Sequence, residues 1–167
     1  LGEDEKFDEY FAKIYESRLA FCYGGNEAEG TRAFLTGCSK HPGWYSMSEL
    51  KEPLYFRDTK TELLGDGTEN ITAVGKRYEK VYLFTERHMY SMSYQLSAEN
   101  GPDFTVAPVN TAVGCAMPGT VALIDNTLVF GNKYSGVHIM QSTDVFGELN
   151  IMHISQNISP GVGFAKD

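Results

Sequence analysis

Two polar segments of this chain place chemically useful side chains at short spacing. Residues 66–70, Asp-Gly-Thr-Glu-Asn, alternate oxygen ligands as a helix-loop-helix calcium loop does at its start. Such a loop also needs Gly at its sixth position and Glu at its twelfth, where this chain has Ile71 and Arg77. Residues 48–51, Ser-Glu-Leu-Lys, match the Ser-x-x-Lys of penicillin-recognising enzymes, but no downstream Lys-Thr-Gly follows. We interpret residues 66–70 as a polar loop between strands and the second match as chance.

The histidines and the familiar catalytic motifs indicate no reactive centre. The four histidines lack the close pairing of helical zinc sites: His41, His88, His138 and His153. His88 and His138 occupy comparable strand positions, which favours a shared structural role over a metal site. The sequence contains no Gly-x-Ser-x-Gly, no Walker loop and no dinucleotide-binding glycine pattern. We therefore expect no enzymatic activity, no catalytic residue, no cofactor and no metal site, and we assign no partner-contact residue.

Two pairs of adjacent aromatic residues offer either core or a ligand platform. Trp44-Tyr45 and Tyr55-Phe56 are the pairs, and a ring of this kind buries roughly 150–250 Å² when it joins a core. The core interpretation is favoured. The alternative is a glycan-binding or glycan-processing β-propeller in which Trp44 and Tyr45 stack on a sugar.

The elements that would position these residues are short strands in two similar copies. Gly65 to Gly114 is a step of 49 residues, and Phe84 to Phe130 is a step of 46. A period in the forties built from short strands is typical of propeller blades. The predicted fold class is therefore all-β, with antiparallel blade-like meanders of a partial β-propeller and a short N-terminal helix. The blade-like repeats are predicted at about 54–100 and 101–150.

Breaker residues and apolar alternation set the expected strands. A hairpin is predicted from 19–24 and 32–36, and a three-stranded meander from 71–75, 80–85 and 88–94, ended by Asn100-Gly101-Pro102. A second hairpin is predicted from 121–124 and 128–131 around Asp125-Asn126-Thr127, because Asp and Asn tolerate the left-handed conformations of a tight turn. Strands at 136–141 and 149–154 complete the sheet.

Residues 1–17 form a predicted amphipathic helix segment, separate from a β domain at 18–167. Apolar residues fall at helical spacing, at Phe7, Tyr10, Phe11, Ile14 and Tyr15. We predict a helix over about 4–16, with Asp4 as its cap and its Phe7–Phe11–Tyr15 face on a sheet edge. The competing interpretation is that the strand pattern already begins at Ile14. The chain starts at Leu1, and we expect it to be a fragment of a longer protein.

Composition limits the environment and the partners. The net charge is −8 and the chain has no basic stripe, so high-affinity nucleic-acid binding is not expected. No apolar run approaches the roughly 20 residues that span a bilayer, so no membrane association is expected. The three cysteines, Cys22, Cys38 and Cys115, are predicted to be free thiols of a protein folded in a reducing cytoplasm, with Cys22 buried.

The order of several segments between about residues 30 and 142 identifies a similar family. The segments are Thr31-Arg32-Ala33-Phe34-Leu35-Thr36-Gly37, Trp44-Tyr45-Ser46, Glu52-Pro53-Leu54-Tyr55-Phe56, Gly65-Asp66, Ile71-Thr72-Ala73-Val74, Val81-Tyr82-Leu83-Phe84 and the turn from Val113-Gly114-Cys115 to Pro118-Gly119. In this order they resemble tailed-bacteriophage virion proteins of the β-propeller type, which are tail-associated or packaged-DNA stabilisation proteins. Their order carries the resemblance more than any single match.

The resemblance implies a structural role with no catalytic residues to transfer. The expected role is a component of the tail or head–tail junction of a phage or prophage, acting through protein–protein contacts. The expected partners are other virion proteins, such as tail or portal subunits, and further copies of the chain. The expected location is the host cytoplasm during assembly and then the virion. About three and a half blades of roughly 45–50 residues do not close a ring, so we expect edge strands to make contacts between chains.

Overall fold

The computed structural model describes residues 11–24, 31–97, 101–142 and 149–155. These residues form three four-stranded sheets, and in each sheet the strands are neighbours in the order of the sequence. Sheet I contains β1 (Leu19–Tyr23), β2 (Arg32–Thr36), β3 (Trp44–Glu49) and β4 (Glu52–Leu63). Sheet II contains β5 (Ala73–Arg77), β6 (Lys80–Phe84), β7 (Met89–Ser97) and β8 (Gly101–Asn110). Sheet III contains β9 (Ala122–Ile124), β10 (Thr127–Asn132), β11 (Gly136–Ser142) and β12 (Leu149–His153). The predicted all-β, antiparallel fold is confirmed.

The chain divides into two compact units. Unit 1 combines the residues up to Ile71 with Met92–Val106, and unit 2 combines Thr72–Ser91 with the residues from Ala107 onward. Sheet I belongs to unit 1 and sheet III to unit 2, whereas β7 and β8 contribute residues to both. The sheets span 19–63, 73–110 and 122–153, bounds that differ from the predicted repeats at 54–100 and 101–150. The reason is that β4 pairs backward with β3, so residues 52–63 complete the first meander.

Local sequence explains the hairpins. In β2 the side chains alternate, with Arg32, Phe34 and Thr36 buried, as expected for a strand with one covered face. Asp125 and Asn126 have φ values of 44° and 61°, and two consecutive positive φ angles are those of a type I′ hairpin turn. The predicted β9–β10 hairpin is therefore confirmed. The predicted hairpin of β1 and β2 is also confirmed, in the register Leu19↔Thr36 to Tyr23↔Arg32.

One phenylalanine recurs at the same place in each sheet. Phe34, Phe84 and Phe130 lie on the second strands, β2, β6 and β10, and all three are 0% exposed. The steps between them are 50 and 46 residues. The two sequence copies thus have equivalent connectivity in sheets II and III, and sheet I is a third copy that the sequence pattern did not reveal.

The fourth strand of sheet II was not predicted. Gly101 and Pro102 were expected to end this meander, but β8 begins at Gly101 and lies at the edge of the sheet next to β7. Proline is tolerated there because an edge strand does not need every N–H for the ladder. Phe104 on β8 is buried within unit 1, with its ring 5.1 Å from Phe34 and 5.5 Å from Tyr94. Tertiary burial of this ring therefore outweighs the local breaker signal.

The core of unit 2 forms around Phe84 and Phe130, whose ring centroids are 4.9 Å apart. The other members of this cluster are Ala73, Tyr82, Met89, Cys115, Leu128 and Met140. The backbone of Gly114 lies very close to that of Thr85, since a Cβ added to Gly114 would be 2.4 Å from the Thr85 carbonyl oxygen. Only glycine fits at that position.

The side chain of Asn132 bonds to four backbone groups of unit 2. Its amide nitrogen donates to the carbonyl oxygens of Gly114 at 3.0 Å and Glu86 at 3.4 Å. Its amide oxygen accepts from the backbone N–H groups of Tyr134 at 2.9 Å and Ser135 at 3.3 Å. Because Asn132 is buried, losing these bonds would leave polar groups unsatisfied.

We predict that Asn132→Ala lowers the free energy of unfolding by about 2–3 kcal/mol, the cost of leaving buried partners unpaired. The matched control is Asn110→Ala, which also removes two hydrogen bonds from backbone N–H groups, at Ala112 and Val113, but at a partly exposed turn. The control should cost about 1 kcal/mol or less. Urea unfolding followed by circular dichroism measures both, and equal losses would contradict the role given to Asn132.

A short N-terminal helix, α1, occupies residues 11–15, and residues 4–10 of the predicted helix lie outside the described residues. β1 begins only at Leu19, so the interpretation of a strand pattern from Ile14 is wrong. Phe11 and Tyr15 are exposed and stack on each other, with ring centroids 4.1 Å apart. The prediction that this face covers a sheet edge is therefore wrong for its described residues. The other side of α1 faces the protein, where the thiol of Cys38 donates to the Ala12 carbonyl oxygen at 3.6 Å.

All three cysteines are free thiols, but the prediction that Cys22 is buried is wrong. Leu19, Phe21 and Tyr23 point toward the covered side of β1, so the alternation of a strand turns Cys22 outward. Cys38 and Cys115 are buried.

We predict one fast-reacting thiol in the native protein and three after denaturation without reductant, measured by titration with an aromatic disulfide reagent. Cys22→Ser should remove the fast phase, whereas Cys115→Ser should leave it unchanged. A denatured count near one would reveal a disulfide and contradict the prediction.

Candidate interaction surface

The longest strand of the described residues, β4, lies at the edge of sheet I and is mostly exposed. Nine of its twelve residues are exposed, and Leu54 has 94% of its surface accessible. Tyr55 and Leu63 are also exposed apolar side chains of this strand. Exposed apolar groups on a strand edge are typical of a surface that binds another protein. Pro53, one of the residues that edge strands accommodate, was the sequence signal for this position.

An irregularity shapes the middle of β4. The strand pairs with β3 through Leu63, Glu62 and Thr61 and again at Phe56, but the register shifts between these two stretches. Residues 57–60, Arg-Asp-Thr-Lys, therefore form a bulge along the edge. A charged bulge prevents indiscriminate pairing of an edge while leaving the apolar side chains on either side of it accessible.

Side-chain contacts hold β4 on β3. The Tyr45 hydroxyl donates to a Glu62 carboxylate oxygen at 2.5 Å, and burial, followed by this carboxylate, raises the pKa of Tyr45 well above its usual range. Arg57 forms an ion pair with Glu49 at 3.0 Å, without the geometry of a hydrogen bond. Glu49 also lies 3.7 Å from the buried guanidinium of Arg32. These contacts connect Glu62 and Arg57 of β4 to β3.

Smaller apolar groups are exposed in unit 2. Leu123 and Ile124 are exposed at the end of β9, next to the hairpin turn. Met152 on β12 and Ile154 just beyond it are exposed on the outer face of sheet III. The sequence pattern placed these residues in strands but did not separate outward from inward positions.

Trp44 and Tyr45 do not form the open surface on which a sugar would stack. Tyr45 is buried, and Trp44 is half-buried with the Lys13 ammonium 4.0 Å above its ring. Neighbouring residues of a strand also point to opposite faces, so these two rings do not form one surface. Tyr55 is accessible, with the Arg57 guanidinium 5.8 Å from its ring.

The two polar segments noted in the sequence serve the fold. Asp66 accepts hydrogen bonds from the Thr68 N–H at 3.1 Å and the Thr68 hydroxyl at 2.7 Å, which makes residues 66–70 a self-bonded polar loop. The Ser48 hydroxyl is buried in β3 and accepts from the Ala33 N–H at 3.0 Å. Lys51 occupies the turn after β3 with a φ of 63°.

The histidines assemble differently from the sequence expectation. His88 lies near Tyr90, with ring centroids 6.3 Å apart. His138 instead stacks on His153, with centroids 5.0 Å apart, because β11 and β12 pair these residues directly. From the sequence, this contact could be inferred only if the pairing register of β11 and β12 were known. No group of three or more His, Cys, Asp or Glu that would suit a metal ion occurs within the described residues.

Comparison with known proteins assigns no family: no protein-family model matches the chain, and no curated protein matches it significantly. Within the described residues, no helix is long and apolar enough to cross a membrane.

We predict that Tyr45→Phe lowers the free energy of unfolding by about 1–2 kcal/mol, because it removes a hydrogen bond to a carboxylate at a buried ring. Tyr55→Phe makes the same change on an exposed ring of β4 and should stay within about 0.5 kcal/mol of the wild type. Urea unfolding of the two variants measures the difference. Equal stability of both variants would mean that the Tyr45–Glu62 bond does not hold β4.

Proposed function

We propose that this protein is a structural component of the tail or head–tail junction of a phage or prophage particle and acts through protein–protein contacts. The observation that carries the proposal is the exposed apolar edge of β4, with Leu54 almost fully accessible. The order of segments that resembles phage virion proteins of the propeller type supports the same role. Other virion proteins, such as tail or portal subunits, are the proposed partners.

We further propose that the three sheets are blades of a β-propeller. Four antiparallel strands in sequence order are the strand pattern of a blade, and all three sheets have it. Within unit 2, the first strand of sheet II lies against sheet III, since a Cβ on Gly75 of β5 would be 2.9 Å from Leu128 and Val121. Arg77 at the end of β5 also donates from Nε to the Asn126 carbonyl oxygen at 2.5 Å. These contacts suit neighbouring blades.

In this proposal, the edges of the sheets are the sites that contact other subunits. Propellers typically have about four to eight blades, and three sheets occur within the described residues. Additional strands, from a longer chain or from another subunit, would complete the ring. The net charge of −8 agrees with contacts to proteins rather than to DNA, and it would keep a passing duplex from adhering to the surface.

The location in the particle is tested first. Particles induced from the strain that carries the gene are purified on a density gradient and quantified by mass spectrometry. We expect the protein at a constant ratio to the portal and tail proteins, and we expect deletion of its gene to lower the yield of complete particles. Absence from the particles together with a normal yield after deletion would overturn the proposal.

The contact surface is tested by complementing the deletion with variants. Leu54→Asp should reduce incorporation into particles about tenfold or more, because a buried charge at an interface centre is strongly unfavourable. The variant should fold normally, since Leu54 is exposed. Tyr134→Asp, at an exposed turn of sheet III, is the matched control and should be incorporated like the wild type. Equal incorporation of both variants would remove β4 from the contact surface.

A further inference from the structure

Two histidines form a stacked pair between β11 and β12. His138 and His153 are direct register partners, and their rings lie 5.0 Å apart with an interplanar angle of 25°. The other side of the His138 ring stacks on Phe130, at 5.6 Å. His138 is buried and His153 is half-buried. An imidazole in this position is enclosed by an aromatic ring and by a second imidazole.

Serine hydroxyls are the polar partners of both rings. His138 Nε2 lies 2.8 Å from the Ser135 hydroxyl, and His153 Nε2 lies 2.9 Å from the Ser155 hydroxyl. The Ser155 hydroxyl also accepts from the Val137 N–H at 2.9 Å, so it links the residue after β12 to β11. These contacts join the imidazoles directly to the hydrogen bonds between the two strands.

The backbone at Gly136 packs closely against the pair. Gly136 begins β11 with a φ of 92°, and a Cβ there would lie 2.2 Å from the Ser155 hydroxyl oxygen and 2.8 Å from His153 Nε2. A glycine is therefore required for the pair and its serine to occupy these positions. The pair is a close-packed feature of sheet III rather than a chance approach of two surface side chains.

Electrostatics oppose a positive charge at this place. Burial, and then the charge of the neighbouring His153, lower the pKa of His138. Of the described residues, Phe130, Ser135 and Ser155 make the ring and hydrogen-bond contacts to the pair, and none of these three is an anion. Two imidazolium rings at this distance would repel each other in an environment that solvates them poorly.

We infer that the His138–His153 pair is a pH-sensitive contact whose protonation releases β12 from β11. β12 is suited to local release because its side chain Met152 is exposed. Within the described residues, β12 also pairs with one strand only, β11. Local opening of a peripheral strand costs less than global unfolding. The inference concerns sheet III alone and does not depend on the proposed role in a phage particle.

The direction of the pH effect follows from linkage. A histidine whose pKa is lower in the folded sheet than in the open strand takes up its proton preferentially when the strand opens. The β11–β12 contact is therefore fully stable above the ordinary histidine pKa of about 6.5 and loses stability as the pH falls below it.

Hydrogen–deuterium exchange with mass spectrometry tests the release at about pH 7.5 and pH 5, after correction for intrinsic exchange rates. The informative amides are those of the β11–β12 ladder and of Ile154, which donates to the Val137 carbonyl oxygen at 2.9 Å. In the wild type, we expect their protection to fall by about tenfold or more at the lower pH. The β5–β6 amides should keep their protection.

Variants identify the groups responsible. The double variant His138→Phe/His153→Phe retains stacked rings without a titrating nitrogen and should keep its β12 protection at pH 5. Ser135→Ala retains both imidazoles and should open like the wild type. Unchanged wild-type protection, equal loss in β5–β6, or acid opening of the double variant would each overturn the inference. The particle tests are independent of all three results.

Discussion

The burial of one phenylalanine in each sheet is the constraint on which the rest of the fold depends. Phe34, Phe84 and Phe130 are fully buried on β2, β6 and β10, each the second strand of its sheet. A ring in that place needs a paired strand on either side and an apolar layer over it. Because the same requirement recurs along the chain, three similar meanders result. Their strand order is a consequence of packing rather than of any single turn.

Buried hydrogen bonds add to the packing of the aromatic residues. In unit 2, the buried Asn132 amide reaches Gly114 and the turn after β10, and Gly114 brings backbone within contact of Thr85. Such bonds contribute little net free energy when they are made but are costly to lose when buried. They therefore specify how the segments between the strands are arranged, while the phenylalanine cluster supplies most of the stabilisation.

Polar side chains and exposed apolar side chains have different roles in the described residues. Several serine hydroxyls and aspartates of the described residues make hydrogen bonds within the fold, as Ser48 and Asp66 illustrate. Three accessible apolar side chains, Leu54, Tyr55 and Leu63, instead lie on the edge strand β4, where an irregular charged segment separates Leu63 from the other two. The histidine pair adds a contact inside sheet III that responds to protons.

Alternation, turn residues and a recurring spacing by themselves determined the fold class and most strands, because these signals are local. The Asp125-Asn126 turn and the equivalent positions of Phe84 and Phe130 are examples. Only the tertiary structure decided the rest. Burial of Phe104 made a strand of a segment that begins with breaker residues, the covering of one face of β1 left Cys22 on its exposed face, and the described residues of the α1 face were left exposed. The β4 edge and the His138–His153 contact likewise depend on which strands are neighbours. The register of a sheet decides which side chains face each other and which strand is left at an edge, and the residues at a single position do not reveal that register.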